Sequence, residues 1–540
     1  MNFDLHRRDF LLSATGASTL LMMGNAGPAP AFAIPEPKQV RMLGRDNWRP
    51  TTATRIVTAA VWLPEAQRLA DDLVTCGLSR VRPQVVARGP RRGDILIGHT
   101  LGGGAEAYRL TIEHDQVRIE AGDAAGVYYA TRSLLQRLML AGSVPVAVVE
   151  DAPDCPQRGV MVDVGRKYYS REWLERLIVR MGWLKLNMLH LHLTDNEGFG
   201  YSSAIDHRLA SPLHLSRDDL RSLVAHGKRH HVTLVPELDA PGHLASVIRL
   251  YPELALIAAD GSSTGRAIDV SMPAARTLLD RFIDELLPIF PGPVWHLGGD
   301  EVLLTEKPDH STNELDVLFP QLVRHAALAS GPGATAHDAL SLHLNAMQIR
   351  LAAHGKRCRA WNDGMQGDGI VALDRRIEID YWENLGGKLK TPQQHITEGF
   401  RLLNAHSRYL YHVLANPPFP WYPHPTRDKM LDEWSVTLFE GEKLPIASSP
   451  SILGAHLAVW ADRPEASSEQ EIERSLLGPT FALAEKTWNA TPPPGYDRVG
   501  FVRAQQQLSR RIDSRSILAS GKPDWRSMCN SEHATDRSRS

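Results

Sequence analysis

The densest chemistry in the sequence lies at residues 296–302, His-Leu-Gly-Gly-Asp-Glu-Val, where an apolar run ends in two glycines and two adjacent acids. Neighbours on an extended strand point to opposite sides, and two carboxylates in one place repel. Asp300 and Glu301 are therefore either a solvated turn or two groups with different tasks. Acids and tryptophans close other apolar runs in the same way. Thr194-Asp195-Asn196-Glu197 ends one, and Glu237-Leu238-Asp239 ends another with Pro241-Gly242-His243 close behind. Trp361-Asn362-Asp363, Tyr381-Trp382 and Trp460-Ala461-Asp462 end three more. Carboxylates accept hydroxyl hydrogen bonds and indole faces stack on C–H surfaces, which are the two things a sugar ring offers.

Two carboxylates that flank a glycosidic bond usually stand ~5–10 Å apart on opposite sides of it. Adjacent residues do not easily reach that arrangement, so one of the pair must do something else. If the substrate supplies its own nucleophile, a 2-acetamido oxygen, one acid orients that group and the other protonates the leaving oxygen.

The elements that position these residues show in the apolar runs themselves. Eight β-rich stretches, 159–165, 188–194, 232–238, 294–299, 357–362, 377–382, 401–406 and 454–460, alternate with amphipathic helices such as 171–185 and 276–290. Continuous apolar strands alternating with helices predict a parallel sheet. Eight of them fit a (β/α)₈ TIM barrel, whose chemistry gathers at the C-terminal ends of the strands. An open doubly wound sheet is the alternative, but no glycine-rich phosphate loop follows the first strand. The expected fold class is α/β, a barrel over 158–505 preceded by a small α+β domain over 39–150. In that domain 107–123 alternates as two strands and 126–140 has helical spacing.

At 540 residues, 43% hydrophobic, 23% charged and net charge −2, the chain is ordinary for a globular protein and shows no basic excess that would suggest nucleic acid as a partner. Arg7-Arg8, an apolar run from Leu11 to Met23 and the small-residue site Ala31-Phe32-Ala33 resemble a twin-arginine export signal over 1–33. The expectation is a periplasmic or secreted protein with no stable membrane anchor after signal cleavage, because the apolar run is shorter than the ~20 residues of a span. Cys76, Cys155, Cys358 and Cys529 show no metal-ligand spacing and are read as structural. The polar stretch 522–540 is expected to be a disordered tail.

The motifs RGVMVDVGRKYY, LNMLHLHLTDNEGF, VPELDAPGH, HLGGDEV and the final AVW together resemble family 20 glycoside hydrolases, the β-N-acetylhexosaminidases, over most of residues 107–465. AWNDG, IEIDYW and LNAHSRYLYHV are most similar to the dispersin-like branch, which cuts poly-β-1,6-N-acetylglucosamine. The resemblance implies a retaining, substrate-assisted hydrolase of terminal or internal β-linked N-acetylglucosamine or N-acetylgalactosamine, with no metal or other cofactor and a glycan or polysaccharide as its partner. It implies Glu301 as general acid and then base, Asp300 as the group that orients the acetamide, and Tyr411 as a donor to the acetamide oxygen. It further implies Trp361, Trp382 and Trp460 as pocket walls, Arg158 or Arg166 as the grip on the sugar hydroxyls, and Asp195 and His243 as a polar layer around Glu301. Where the branch has Trp-x-Glu, this chain has Trp460-Ala461-Asp462, one methylene shorter at the group that reaches the 4- or 6-hydroxyl. On these roles Glu301 should be protonated near neutrality, raised by burial and by the charge of Asp300, while Asp300 stays ionised.

Other readings compete. His190 and His192 form an HxH on one strand, the pattern of a zinc pair in metal-dependent amidohydrolase barrels; activity after chelation discriminates. A catalytically inactive polysaccharide-binding protein is a third reading. The stretch NPPFPWYPHP (416–425) serves either as a binding rim or as a stiff loop, His230-His231 is expected to be exposed, and Asp269 either shapes the site or holds a turn.

Overall fold

The computed structural model describes residues 31–99, 102–263, 265–302, 312–367 and 369–512. The twin-arginine segment and the expected C-terminal tail lie outside them. No helix among the described residues is long and apolar enough to cross a membrane.

The alternation at 107–123 becomes a hairpin of β5 (Tyr108–Ile112) and β6 (Val117–Ala121), each burying every second residue, as the pleat requires. They belong to a seven-stranded sheet ordered β1-β7-β5-β6-β4-β2-β3, with β1 Gln39–Trp48, β2 Ile56–Thr58, β3 Val85–Val86, β4 Ile95–His99 and β7 Val144–Asp151. The helix Ala124–Ala141 starts where the Asp123 carboxylate accepts the Gly126 N–H, a cap worth about 1 kcal/mol. It packs on β5 and β6 with one side and meets the barrel with the other, through Gln136 to the Trp183 carbonyl (2.9 Å) and Tyr128 to His230 Nδ1 (3.1 Å).

The barrel strands are β8 (Gln157–Asp163), β9 (Met188–His192), β10 (Thr233–Glu237), β11 (Val294–His296), β12 (Arg357–Trp361), β13 (Glu378–Tyr381), β14 (Leu402–Asn404) and, after β15 (Tyr411–Val413) and the hairpin β16 (Leu438–Phe439) and β17 (Glu442–Lys443), the long β18 (Ile452–Trp460). They pair in parallel in that order, and β18 joins both β14 and β8, so eight strands close. Each coincides with one of the runs named above. β15 is an addition: the seventh run breaks after Asn404, makes a turn of helix at Ser407–Leu410, and resumes beside the last part of β18, with Tyr411 opposite Ala458 and Val413 opposite Trp460. The final described helix, Arg498–Ile512, continues past residue 505 and packs back on the Ala124–Ala141 helix.

Buried charge ties the two domains together. Lys185 donates to Asp151 and to the Tyr108 hydroxyl, both at 2.9 Å. His230 and His231, expected to be exposed, belong to this junction instead: His230 is buried beside Tyr128, and His231 stands 3.3 Å from Glu65. Residues Ala31–Ile34, where the expected signal ends, are buried; Ile34 exchanges two 2.8 Å hydrogen bonds with the Gln136 amide. Asp269 holds a turn, accepting the Ser271 N–H at 2.8 Å.

Close to that segment the Glu36 N–H donates to the Glu485 carboxylate at 2.8 Å, and burial pushes both carboxyls up to about 7. A carboxyl raised in the folded state contributes stability below its unfolded value and loses it as pH rises through the folded value. Glu36 and Glu485 therefore make the fold less stable as pH rises from about 4.5 to 7. Asp239 and Asp363, raised to about 6, act in the same direction over a lower window. Thermal unfolding should give a higher Tm at pH 5 than at pH 8; a Tm that rises over that interval contradicts this.

Candidate functional site

The pair Asp300 and Glu301 converges because the chain leaves strand geometry immediately after β11. Gly298 and Gly299 have φ of +73° and +92°, and a Cβ on Gly298 would stand 1.9 Å from the Asp239 carboxylate, so only glycine fits. Glu301 itself has φ +52°, uncommon for a residue with a side chain, and is held there by its N–H donating to Asp363 at 2.7 Å. The turn abolishes the alternation that would send the two acids apart. His243 Nε2 lies 3.5 Å from the Asp300 carboxylate and 3.3 Å from that of Glu301, so one imidazole faces both.

These groups open on a pocket at the C-terminal ends of the strands, walled by Trp382, Tyr411 and Trp460 and edged by Arg166 and Asp462. Trp382 and Tyr411 stack with ring centroids 6.1 Å apart and planes 5° apart, and Trp382 donates to Asp363 at 3.1 Å. Asp363 thus fixes both the backbone of the acid and one wall. Trp361 is not among the lining residues: it is buried, packs 5.8 Å from Trp460 and donates its indole N–H to Glu237 at 2.8 Å. It supports the wall instead of forming it. Val413 and Tyr422 also line the pocket and were not singled out in the sequence. Tyr422 lies in the 416–425 stretch, which therefore reaches the rim, where Phe419 and Trp421 stack 5.5 Å apart. The signal for Tyr422 was its place among aromatics after the seventh run, and that for Val413 its place at the end of LNAHSRYLYHV.

The two candidate arginines part company. Arg166, just past the end of β8, donates to Asp195 (2.9 Å), Asp163 (3.1 Å) and Glu197 (3.0 Å), and its guanidinium lies over Trp460. Arg158, at the start of the same strand, sits at the opposite end of the barrel, where it pairs with Glu106 at 2.7 Å and donates to the Lys185 and Cys155 carbonyls. It ties the domains together and does not reach the pocket. Arg158→Ala should leave KM unchanged and lower Tm, because Glu106 loses its cation and keeps only the Asn187 amide donor at 2.8 Å. Arg166→Ala should lower kcat/KM roughly 10- to 100-fold, chiefly through KM. Steady-state kinetics beside thermal melts separate the two, and a KM effect at Arg158 would contradict the assignment.

The electrostatics reverse the expectation for the pair. Burial, followed by the charge of Asp239, pushes Asp300 well above the usual carboxylate range, with His243 opposing. Burial also acts to raise Glu301, but the hydrogen bond and charge of His243, with Arg166, hold it below its ordinary value. His243 draws both acids down, and Asp300 stays raised because burial and Asp239 outweigh it; burial acts against the His243 proton too, yet Asp195, Asp300 and Asp239 keep it an imidazolium. Asp195 accepts from His243 Nδ1 at 3.1 Å, so both expected supporting residues stand behind the acid.

His190 and His192 both point into the barrel, and His190, Glu237 and His296 stand close enough together to share a cation. His192, however, has both nitrogens engaged, Nδ1 with Glu237 (2.6 Å) and Nε2 with Asp195 (2.8 Å), which leaves no lone pair for a metal in this arrangement.

A model of the glycosyl hydrolase family 20 catalytic domain matches residues 156–491, and one of the same family's domain 2 matches residues 32–152. The chain is 26% identical over 460 residues to a lacto-N-biosidase of Bifidobacterium bifidum, covering 83% of this chain and 39% of that protein. It is 28% identical over 399 residues to a beta-hexosaminidase of Vibrio furnissii, covering 66% and 61%, and 26% identical over 457 residues to a beta-N-acetylhexosaminidase of Cellulomonas fimi, covering 75% and 81%. It thus spans less than two thirds of the first two. The solved beta-N-acetylhexosaminidase from Bacteroides fragilis aligns with a TM-score of 0.73 at 19% identity, over 91% of this chain and 99% of that one. A Streptomyces plicatus beta-hexosaminidase with bound GlcNAc product aligns at 0.69 and 21%, over 91% and 98%. At those identities the likeness is one of fold.

Proposed function

The chain belongs to glycosyl hydrolase family 20, and on that footing we propose that it hydrolyses β-linked N-acetylhexosaminides, N-acetylglucosamine first among them, with the substrate's own acetamido oxygen as nucleophile. The observation that carries this is the convergence of Asp300 and Glu301 on His243 in a pocket walled by Trp382, Tyr411 and Trp460. Two acids on one side of a sugar site suit a reaction in which the attacking atom belongs to the sugar.

Asp300 takes the acetamide N–H while the Tyr411 hydroxyl donates to the acetamide oxygen, which turns that oxygen towards the anomeric carbon. The oxygen forms a bond to that carbon as the glycosidic C–O bond breaks, and Glu301 gives its proton to the departing oxygen. Glu301, now a carboxylate, takes a proton from water as the water opens the cyclic oxazolinium, restoring the acetamide with retained configuration. An acetamide N–H directed at Asp300 favours the ionised form of that acid, and its proton then belongs to the Glu301 and His243 side. Substrate arrival thereby sets the charges that the mechanism needs.

Asp462 faces the same pocket, shortened by ~1.5 Å relative to a glutamate. The room it leaves beyond the 4- and 6-hydroxyls favours a sugar that carries a substituent there, and so cleavage within a chain as well as at its end. Poly-β-1,6-N-acetylglucosamine is the polymer to which AWNDG, IEIDYW and LNAHSRYLYHV point. The experiment is the rate on an aryl β-N-acetylglucosaminide beside the matching aryl β-glucoside, followed by defined oligomers. Turnover of the acetamido sugar alone is the expected result. Comparable turnover of both would make a protein carboxylate the nucleophile and end this reading.

A further inference from the structure

We propose that Glu237 and His192 are positioning residues for the catalytic acid: one carboxylate in the middle of the barrel anchors, on one oxygen, the line of hydrogen bonds and charge contacts that ends at Glu301 and, on the other, the indole of Trp361 behind the pocket wall. The inference rests on the reading of the site given above and extends it inward.

Glu237 ends β10 and is fully buried. Its Oε2 accepts from His192 Nδ1 at 2.6 Å and its Oε1 from Trp361 Nε1 at 2.8 Å. His192 ends β9, and its Nε2 meets Asp195 at 2.8 Å. Asp195 meets His243 at 3.1 Å, and His243 meets Glu301 at 3.3 Å. An ionised carboxylate only accepts, so an imidazole between two of them donates from both nitrogens and carries a positive charge. The line therefore alternates in sign from Glu237 to His192, Asp195, His243 and the acid. Burial opposes the charge on His192, while Glu237 and Asp195 hold it well above its ordinary value. Also facing the line are Asp163 and Arg166 beside Asp195, His190 (2.9 Å) and His296 (3.0 Å) beside Glu237, and Asp300 (3.5 Å) and Asp239 beside His243.

An uncharged side chain at 237 takes away the counter-charge of a fully buried imidazolium, and His192 becomes neutral. Asp195 then keeps its negative charge with one cation fewer upon it and is less firmly fixed behind His243; the potential at His243 becomes more negative, so the His243 and Glu301 pair gives up its proton at higher pH. Groups behind the ligating layer of a site commonly alter activity by roughly 10- to 100-fold.

The test is kcat/KM against pH for the full chain and for Glu237→Gln, on N-acetylglucosaminides with a poor and with an activated aryl leaving group, beside thermal melts. The expected result is a roughly 10- to 100-fold loss on the poor leaving group, a smaller loss on the activated one, and an alkaline limb displaced to higher pH. Trp361→Phe, which keeps the charge and removes the indole donor, should change KM and leave the limb in place. An unmoved limb in Glu237→Gln, or equal losses on both leaving groups, overturns the proposal, since a merely structural role lowers Tm and all rates together. Should Glu237→Gln fail to fold, His192→Gln, which still donates to Asp195 through an uncharged amide, must show the same displaced limb or the proposal falls. A wild-type chain inactive on both substrates would instead refute the reading of the site and take this role with it.

Discussion

Glu301→Gln should lower kcat/KM by roughly 10³-fold on an N-acetylglucosaminide with an alkyl leaving group, and by far less on one with an activated aryl group. General acid catalysis contributes roughly 10²–10⁴-fold where the leaving oxygen needs a proton and little where it departs unaided. Glutamine keeps the shape of the side chain beside His243, 3.3 Å away, and the backbone bond from Glu301 to Asp363 is unaffected. The Glu301 side chain is 39% exposed, so the amide should leave Tm nearly unchanged. Paired kinetics on the two leaving groups decide the matter. Equal losses on both would remove Glu301 as the acid.

Asp300→Asn should cost roughly 10²–10³-fold on every substrate, activated or not, because the acetamide loses the charged partner that aligns it and stabilises the developing positive charge. Folding should respond in the opposite sense. Burial and Asp239 raise the Asp300 carboxyl well above the usual range, so the folded chain gives up stability wherever pH forces that group to ionise. Asparagine resembles the protonated form and escapes the penalty. The variant should therefore melt at the wild-type temperature or above it at pH 8 while being nearly inactive. A near-normal rate on the acetamido sugar would remove Asp300 from the mechanism. A large drop in Tm would mean that the ionised carboxylate supports the fold.

Much of this protein was legible because its signals are local. Strand and helix periods are set by residues a few positions apart, so all eight barrel strands, the β5–β6 hairpin and the helix after it follow from the runs at 107–140 and 159–460. The barrel rule then places the ends of those runs on one face, which is why Asp195, His243, Asp300, Glu301, Trp382, Trp460 and Asp462 come together. The two arginines stayed open in the sequence; the structure separates them, with Arg158 at one end of β8 paired to Glu106 and Arg166 past the other end at the pocket.

What only the tertiary structure decided depends on groups distant in sequence. The proton of the acid pair is placed by His243, from the loop after β10, and by Asp239 and Arg166. Adjacency alone suggested that Asp300 would raise Glu301, and it could not show an imidazolium between them. Trp361 ends its run as Trp460 does, yet packing turned one towards Glu237 and left the other at the pocket. β15, Val413 and Tyr422 reach the site because the chain folds back beside β18 after its seventh strand, a return that no short-range period encodes. Periodicity specifies where a side chain points relative to its own element. The charge it carries and the neighbour it meets are set by what the other elements bring, and those contacts exist only once the barrel has closed.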